Sequence, residues 1–318
     1  MEIQDLVNKW SNIPVDASGN FKSLRIDGLC IPDLFVSLNV EQRRCLILKL
    51  PSDYNPDFQS SIRQNLSLEL YAKTRWIVLA LLDDQYFDLF NDLILSIHNK
   101  IKDIDNPKTY VTELLKTYYK WSEFFLPDSG NKLSDDQVKG FFGELVILNR
   151  LVDASSSSNL NDLLNSWKGP YDTGHDFIFE TVNIEVKTKN LSAANVKISS
   201  EHQLQAELNK DLELAIVNVN VNPLEGLSIK DVVILIRNYV MERLGDYSIL
   251  LKALSQKGLT LKNLEDYNHL KFTTVDVTSY DCNLDGFPKI TTSTLPDSIT
   301  SVTYNLNINQ IQPFIKSE

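Results

Sequence analysis

The chain has 318 residues, 43% of them hydrophobic, which is ample for one large or two medium globular domains. Its net charge of −11 at pH 7 argues against a general nucleic-acid coat protein, because non-specific DNA affinity comes mainly from lysine and arginine. No apolar run approaches the roughly 18 residues of a membrane helix, and the N-terminal segment lacks the features of a signal peptide. We therefore expect a cytoplasmic protein without a membrane partner, in which Cys30, Cys45 and Cys282 are reduced and buried.

Residues 1–130 are predicted to form an α+β domain that contacts a partner or DNA. Residues 1 to about 60 look irregular and partly extended, except for one strand. Hydrophobic spacing predicts two strands and then two helices in this domain, at Arg43–Leu50, Trp76–Leu82, Phe87–Ile101 and Tyr110–Leu126. The aromatic residues of the last helix are expected in the core. The turn-rich segment Pro127–Asn131 marks the boundary with a second domain, residues 131–318.

A helix is predicted at the start of the second domain, ending near Leu151. Ser134 is a good N-cap, and Gln137 three residues later completes a capping box. Gly140 and Gly143 lie inside this helix, where each glycine costs roughly 1 kcal/mol relative to alanine. We infer that another segment approaches the helix closely at these glycines.

The rest of the second domain is predicted to continue as three strands, a helix and a strand, followed by α/β additions. A short helix at Leu160–Trp167 precedes the three strands. The three strands, the helix and the fourth strand are placed at Asp176–Phe179, Asn183–Thr188, Asn195–Ile198, Ser199–Gln205 and Leu212–Val221. The C-terminal helices and strands are placed from Pro223 through Ile236 and at Tyr247–Gln256, Phe272–Val277, Gly286–Ile290 and Ser301–Leu306.

The segment with the clearest chemistry runs from Asp176 to Lys187. Side chains alternate faces along a strand, so Glu185 and Lys187 share one face, and a hairpin can bring Asp176 beside Glu185. Two converging carboxylates repel each other unless a cation lies between them, and hard oxygen ligands suit Mg2+. The carbonyl of Val186 could supply a further oxygen. Lys187 could orient or deprotonate a water molecule or offset charge on a phosphate.

Each of these residues also has an interpretation without catalysis. Glu185 and Lys187 could form a solvated pair on an exposed strand face. Glu144, the one acid in an apolar part of the first helix, could reach the metal site or lie at the surface. Gln203 is either a helix cap or a contact to phosphate or metal-bound water. A lone histidine such as His175 is more often a structural hydrogen-bonding residue than a ligand.

Several motifs occur together in an order that is specific. They are Lys139-Gly140-x-x-Gly143-Glu144-Leu145, Trp167-x-Gly169-Pro170, Asp176-Phe177, Ile184-Glu185-Val186-Lys187-Thr188 and Ile198-Ser199-Ser200-x-x-Gln203-Leu204. With these motifs the chain resembles the PD-(D/E)XK motif protein family, which belongs to the restriction-endonuclease-like superfamily and occurs in bacterial restriction-modification and phage-defence operons.

The resemblance implies a restriction-endonuclease-like α/β core, a mixed sheet flanked by helices. It further implies that Asp176 and Glu185 hold Mg2+, for which Mn2+ can substitute, and that Lys187 assists the attacking water. Glu144 would support the site, and Gln203 would be an accessory polar residue. One departure from the family pattern is that a histidine, not a proline, precedes the first acid.

Two functional hypotheses follow from these observations. The first is a Mg2+-dependent DNA endonuclease, the cutting component of a restriction or anti-phage system. An ATPase or a methyltransferase from the same operon is then a natural partner, and a homodimer would allow both strands to be cut. The alternative is a non-catalytic DNA-binding or scaffolding subunit that retains the fold. An RNA nuclease is not favoured, because the sequence offers no aromatic stacking platform.

Overall fold

The computed structural model describes residues 1–13, 21–56, 58, 60–63, 65–125, 132–172, 174–299 and 301–316. The chain divides into two compact units, Met1–Asp128 and Ser129–Glu318. The predicted linker Pro127–Asn131 lies outside the described residues. Within the described ranges, none of the helices combines the length and the apolar character needed to cross a bilayer. The described cysteines are all buried and unpaired, as expected.

The first unit contains an antiparallel sheet and helices. The helices are α1 (Ile3–Ser11), α2 (Phe87–Ile101) and α3 (Pro107–Trp121). The strands are β1 (Phe21–Arg25), β2 (Asp33–Asn39), β3 (Arg44–Lys49), β4 (Ser61–Arg63), β5 (Leu66–Tyr71) and β6 (Trp76–Leu81), in the spatial order β1-β2-β3-β6-β5-β4. The central strands β3 and β6 are buried on both faces, which explains their continuous apolar sequences.

The secondary structure predicted for the first unit is confirmed from β3 to α2 and is wrong for the residues before β3. The strands predicted around β3 and β6 and the helix α2 are confirmed. The first 60 residues are more regular than predicted, because α1, β1 and β2 lie there. A capping box between Glu2 and Asp5 begins α1, and Trp10 contacts the ring of Phe90. Helix α3 begins earlier than predicted, at an Asn106 cap followed by proline.

The second unit is a mixed α/β structure. Its helices are α4 (Asp135–Ala154), α5 (Leu160–Ser166), α6 (Ile229–Glu242) and α7 (Tyr247–Gln256). Its strands are β7 (Phe177–Ile178), β8 (Val182–Asn190), β9 (Asn195–Ile198), β10 (Asp211–Val221), β11 (Phe272–Asp281) and β12 (Tyr304–Asn307). The main sheet has the order β11-β10-β8-β7, in which β8 and β10 are parallel and the other pairs are antiparallel. Strands β9 and β12 form a separate antiparallel pair.

Helix α4 packs on both β8 and α6. Ser134 caps this helix and exchanges hydrogen bonds with Gln137, which confirms the predicted capping box. The close approach predicted at the helix glycines is confirmed for Gly143, where an ideal Cβ would lie 1.8 Å from Oγ1 of Thr188 on β8. At Gly140 the corresponding position is open. The small residue at position 143 therefore brings α4 down onto the strand that carries Glu185.

Two predicted elements of the second unit are wrong. The segment from Ser199 to Gln205 forms turns, not a helix, and irregular residues 206–210 connect it to β10. Residues 286–290 are irregular, not a strand. The chain is a mixed α/β protein, as predicted, and helix α7 and strands β9, β10, β11 and β12 overlap the predicted segments. Helix α6 begins at Ile229, not at Pro223, and continues beyond Ile236 to Glu242.

Candidate active site

Asp176 is held beside Glu185 by the β7–β8 hairpin. Phe177 pairs with Ile184 in this antiparallel hairpin, so Asp176, just before Phe177, lies beside Glu185, just after Ile184. Oδ2 of Asp176 accepts a hydrogen bond from the backbone N–H of Val186 at 2.7 Å. Its backbone carbonyl accepts two further hydrogen bonds, from the N–H groups of residues 168 and 169, at 2.7 and 3.0 Å. The position of this carboxylate is thus fixed by backbone groups.

Glu185 and Lys187 lie on one face of β8, as the strand alternation predicts. Nζ of Lys187 donates to Oε1 of Glu185 at 2.6 Å. The pair is not a solvated surface pair, because the side chains of Glu185 and Lys187 are only 2% and 16% exposed. The other carboxylate oxygen, Oε2 of Glu185, is buried and has no hydrogen-bond partner among the described atoms. A buried acceptor without a donor is unfavourable, so this oxygen is suited to a bound cation or water.

Glu144 reaches the same place from α4. Its Oε2 accepts a hydrogen bond from the indole Nε1–H of Trp167 at 2.9 Å. An ideal Cβ on Gly169 would lie 2.1 Å from that Oε2 and 2.9 Å from Oδ1 of Asp176. Glu144 and Asp176 therefore border one small space, which is open because residue 169 has no side chain.

The electrostatics of this carboxylate cluster, defined here as Glu144, Asp176 and Glu185, favour a positive charge within it. Burial, and then the charge of Asp176, raise the pKa of Glu185 to about 8, against the opposing effect of Lys187. Burial and the charge of Asp176 also raise the pKa of Glu144 well above its usual value. Burial raises the pKa of Asp176, although Lys187 and the N–H of Val186 oppose the shift. At neutral pH the cluster retains protons unless a cation replaces them.

The donor atoms fit Mg2+ or Mn2+ better than a softer metal. Asp176, Glu185 and the carbonyl of Val186 offer hard oxygens, and Mg2+ usually takes one or two protein carboxylates and completes its shell with water. Among the described residues, no group of three or more histidine, cysteine, aspartate or glutamate side chains is arranged to hold a metal ion. The fit therefore rests on the two carboxylates, the carbonyl and the partnerless oxygen of Glu185.

The remaining candidate residues lie outside the carboxylate cluster. The side-chain oxygen of Gln203 accepts a hydrogen bond from the backbone N–H of Ser199 at 2.8 Å, so this glutamine caps a turn. The ring of His175 is buried, its Nδ1 lies 3.4 Å from Nδ2 of Asn183, and burial lowers its pKa.

Three residues of the site were missed as functional candidates. Trp167 and Gly169 belong to a motif of the family resemblance, but the indole bond and the absent side chain gain meaning only in three dimensions. Lys257, at the end of α7, donates to Asp172 at 2.6 Å, and its charge lowers the pKa values of Glu144 and Asp176. Nothing in the local sequence around Lys257 indicates this proximity.

Comparison with known proteins agrees with the motif resemblance. Residues 6–309 match the model of the family described as "Putative PD-(D/E)XK family member, (DUF4420)". No curated protein and no solved structure shows significant similarity to the chain. The family description points to a nuclease-type enzyme. Since the match covers nearly the whole sequence, the chain belongs to this PD-(D/E)XK family.

Proposed function

We propose that this protein is a Mg2+-dependent DNA endonuclease that hydrolyses phosphodiester bonds. The observation that carries the proposal is the convergence of Glu144, Asp176 and Glu185 with Lys187, where one buried carboxylate oxygen has no hydrogen-bond partner in the part of the chain that the structure describes. We assign Asp176, Glu185 and Lys187 to the two acids and the lysine of the PD-(D/E)XK motif that the family description names. We further propose that α4, β7, β8 and β10 are the counterpart of the restriction-endonuclease-like core.

The roles of the residues follow from their contacts. Asp176, Glu185 and the carbonyl of Val186 would hold Mg2+ or Mn2+. When bound, the cation supplies positive charge that activates water and stabilises the charge developing on the phosphodiester. Lys187 holds its ammonium protons next to Glu185 and can orient the attacking water. Glu144 is held by the indole N–H of Trp167 and would bring a third carboxyl group to the cluster.

Attack by water in line with the leaving oxygen would break the phosphorus–oxygen bond and leave a 5′-phosphate and a 3′-hydroxyl. Gln203, as an accessory residue, would act through the turn that it caps, since its side chain bonds to Ser199.

The biological setting that we propose is a bacterial restriction or phage-defence system in the cytoplasm. The net charge of −11 supports a partner that delivers the DNA, because an acidic chain is repelled from DNA at long range. An ATPase or methyltransferase subunit of the same operon would fill that role. A homodimer would supply the second active site needed to cut both strands.

Cleavage of plasmid and phage DNA, modified and unmodified, in Mg2+ or Mn2+ tests the proposal. We expect Lys187→Ala to abolish cleavage while the unfolding temperature stays close to that of the wild type. Lys252→Ala, at an exposed position on α7, is the matched control and should cut normally. Retained cleavage by Lys187→Ala would show that the site is assigned wrongly.

A scaffolding or DNA-binding subunit is the alternative, and one observation favours it. Among the described residues, no three histidine, cysteine, aspartate or glutamate side chains are arranged to hold a metal ion together. Metal binding would therefore rest on Asp176, Glu185 and the carbonyl of Val186. This alternative predicts that DNA or a partner protein binds without any metal requirement. Calorimetric titration with Mg2+ and Mn2+, with and without DNA, distinguishes the two functions, since a scaffold gives no heat of metal binding in either case.

A further inference from the structure

A second lysine lies at the edge of the carboxylate cluster. Lys257 follows the last residue of α7, and its Nζ donates to Oδ1 of Asp172 at 2.6 Å. Asp172 directly follows the 3-10 turn Gly169–Tyr171, against which α7 packs. Gly169, in the same turn, faces the carboxylates of Glu144 and Asp176. The ion pair and the cluster therefore share one short segment of backbone.

The Asp172–Lys257 ion pair is more open to solvent than the Glu185–Lys187 pair. The Asp172 side chain is 82% exposed and that of Lys257 is 26% exposed. Exposed ion pairs contribute little to stability, so the partner of such a lysine can be exchanged easily. Lys187 differs in this respect, because Glu185 holds its ammonium within the buried part of the site.

DNA must bring phosphates close to three carboxylates, and this requires nearby positive charge that solvent can reach. Lys257 is close enough for its charge to act on Glu144 and Asp176. It is also accessible and is bound by an exposed carboxylate that a phosphate can replace. A lysine that binds phosphate acts as a point charge and needs little geometric precision.

We propose that Lys257 binds a backbone phosphate of the DNA next to the bond that is cut, and that Asp172 occupies this lysine until the DNA displaces it. The proposal rests on the DNA-cleaving function proposed above. It assigns two roles outside the carboxylate cluster. Lys257 is a substrate-binding residue, and Asp172 is a competing internal anion.

The test is binding of fluorescent DNA duplexes by anisotropy in Ca2+, over a series of KCl concentrations, with intact DNA verified on gels. We expect Lys257→Gln to weaken binding roughly tenfold for duplexes of unrelated sequence. The slope of log Kd against log salt should fall by about 1, because one phosphate contact is lost. Asp172→Asn should tighten binding roughly threefold. Lys252→Gln, on the exposed side of the same helix, is the matched control and should bind like the wild type.

The double variant Asp172→Asn with Lys257→Gln separates displacement from a general charge effect. If Asp172 acts by occupying Lys257, its substitution gains nothing once the lysine is absent. An equal gain in both backgrounds would overturn the role of Asp172. An unchanged Kd and salt slope in Lys257→Gln, or no DNA binding by the wild type, would overturn the phosphate contact.

Cleavage by the same proteins distinguishes this failure from failure of the proposed function. Metal-dependent cleavage together with normal binding by Lys257→Gln would reject the phosphate contact alone. Weakened binding by Lys257→Gln, without any cleavage by the wild type, would support the contact and reject the nuclease.

Discussion

Glu185 differs from the other two carboxylates in its hydrogen bonding. Asp176 and Glu144 each bond to a neutral N–H group, from the backbone of Val186 and from an indole ring. Glu185 accepts a hydrogen bond from the ammonium of Lys187 through one oxygen, while the other is buried and has no partner among the described residues. A buried acceptor of this kind normally destabilises a fold by about 1–3 kcal/mol. Its retention beside two further acids is most easily explained by a ligand that binds there.

Gly169 provides the most local test of the cluster. In Gly169→Ala, the new methyl group would overlap Glu144 and press on Asp176, so both carboxylates must move. Displacement of about 1 Å at a reacting centre can lower rates roughly a hundredfold, and we expect a loss of that order in kcat/KM for DNA cleavage. The affinity for Mn2+, measured by calorimetry, should fall in parallel.

Gly140→Ala is the control for this substitution, because its Cβ would meet nothing within 4 Å. It should retain both the cleavage rate and the affinity for Mn2+. Normal Mn2+ affinity and cleavage in Gly169→Ala would mean that Glu144 and Asp176 do not act together.

Secondary-structure elements could be predicted from the local sequence where the local pattern and the tertiary packing favour the same structure. The alternation along β8 correctly placed Glu185 and Lys187 on one face. The interpretation of Gln203 as a helix cap was wrong, because its side chain accepts from the N–H of Ser199 in a turn and no helix follows. The position of Lys257 beside the site depends on the packing of α7 against the turn at residues 169–171, which local sequence does not encode.

The contact between α4 and β8 leads to a prediction about stability. In Gly143→Ala, the new Cβ would lie 1.8 Å from Oγ1 of Thr188, so the helix must move away from the strand. Such overpacking typically destabilises by about 1–3 kcal/mol. Gly140→Ala, in the same helix but facing open space, should stabilise by about 1 kcal/mol. Urea denaturation of the two variants measures both effects.

Removal of the clashing hydroxyl provides the control. Thr188→Ala should recover most of the stability lost in Gly143→Ala, because the remaining Cβ of residue 188 would lie 3.1 Å away. Additive losses in the double variant would mean that the glycine is required for a reason other than this contact.

For the whole molecule, the acidic net charge has to be reconciled with the proposed DNA substrate. The net charge of −11 repels DNA at long range, and this repulsion weakens as salt screens it. Close to the cluster the balance differs, because Lys187 and Lys257 lie beside Glu144, Asp176 and Glu185. Cations that enter the cluster would shift the local charge further toward positive. This distribution of charge fits a protein to which a partner first delivers the DNA and which then binds the DNA through positive charge at the site.

The pH dependence of stability reports on this cluster in the metal-free protein. The pKa of Glu185 is raised to about 8 in the folded chain, against about 4.3 in an unfolded one. Its contribution to stability is therefore complete below pH of about 4.3 and is lost progressively as the pH rises from there through about 8. We expect Glu185→Gln to raise the free energy of unfolding, relative to the wild type, by about 3–4 kcal/mol more at pH 8 than at pH 5. Urea denaturation in EDTA at pH 5 and pH 8 measures this difference in the free energy of unfolding.

The comparison between variants separates Glu185 and the carboxylates coupled to it from titrating groups elsewhere in the chain. Burial lowers the pKa of His98 in the first unit, so its contribution is lost as the pH falls, but it cancels in the difference. Glu180→Gln, at an exposed position in the same hairpin, is the control and should follow the wild type.

Saturating Mg2+ should stabilise the wild type at pH 8, by about 2.7 kcal/mol at 100 times Kd, and Glu185→Gln much less. Parallel curves for wild type and Glu185→Gln in EDTA would show that Glu185 is already ionised in the folded chain, which would remove the electrostatic reason for a cation there.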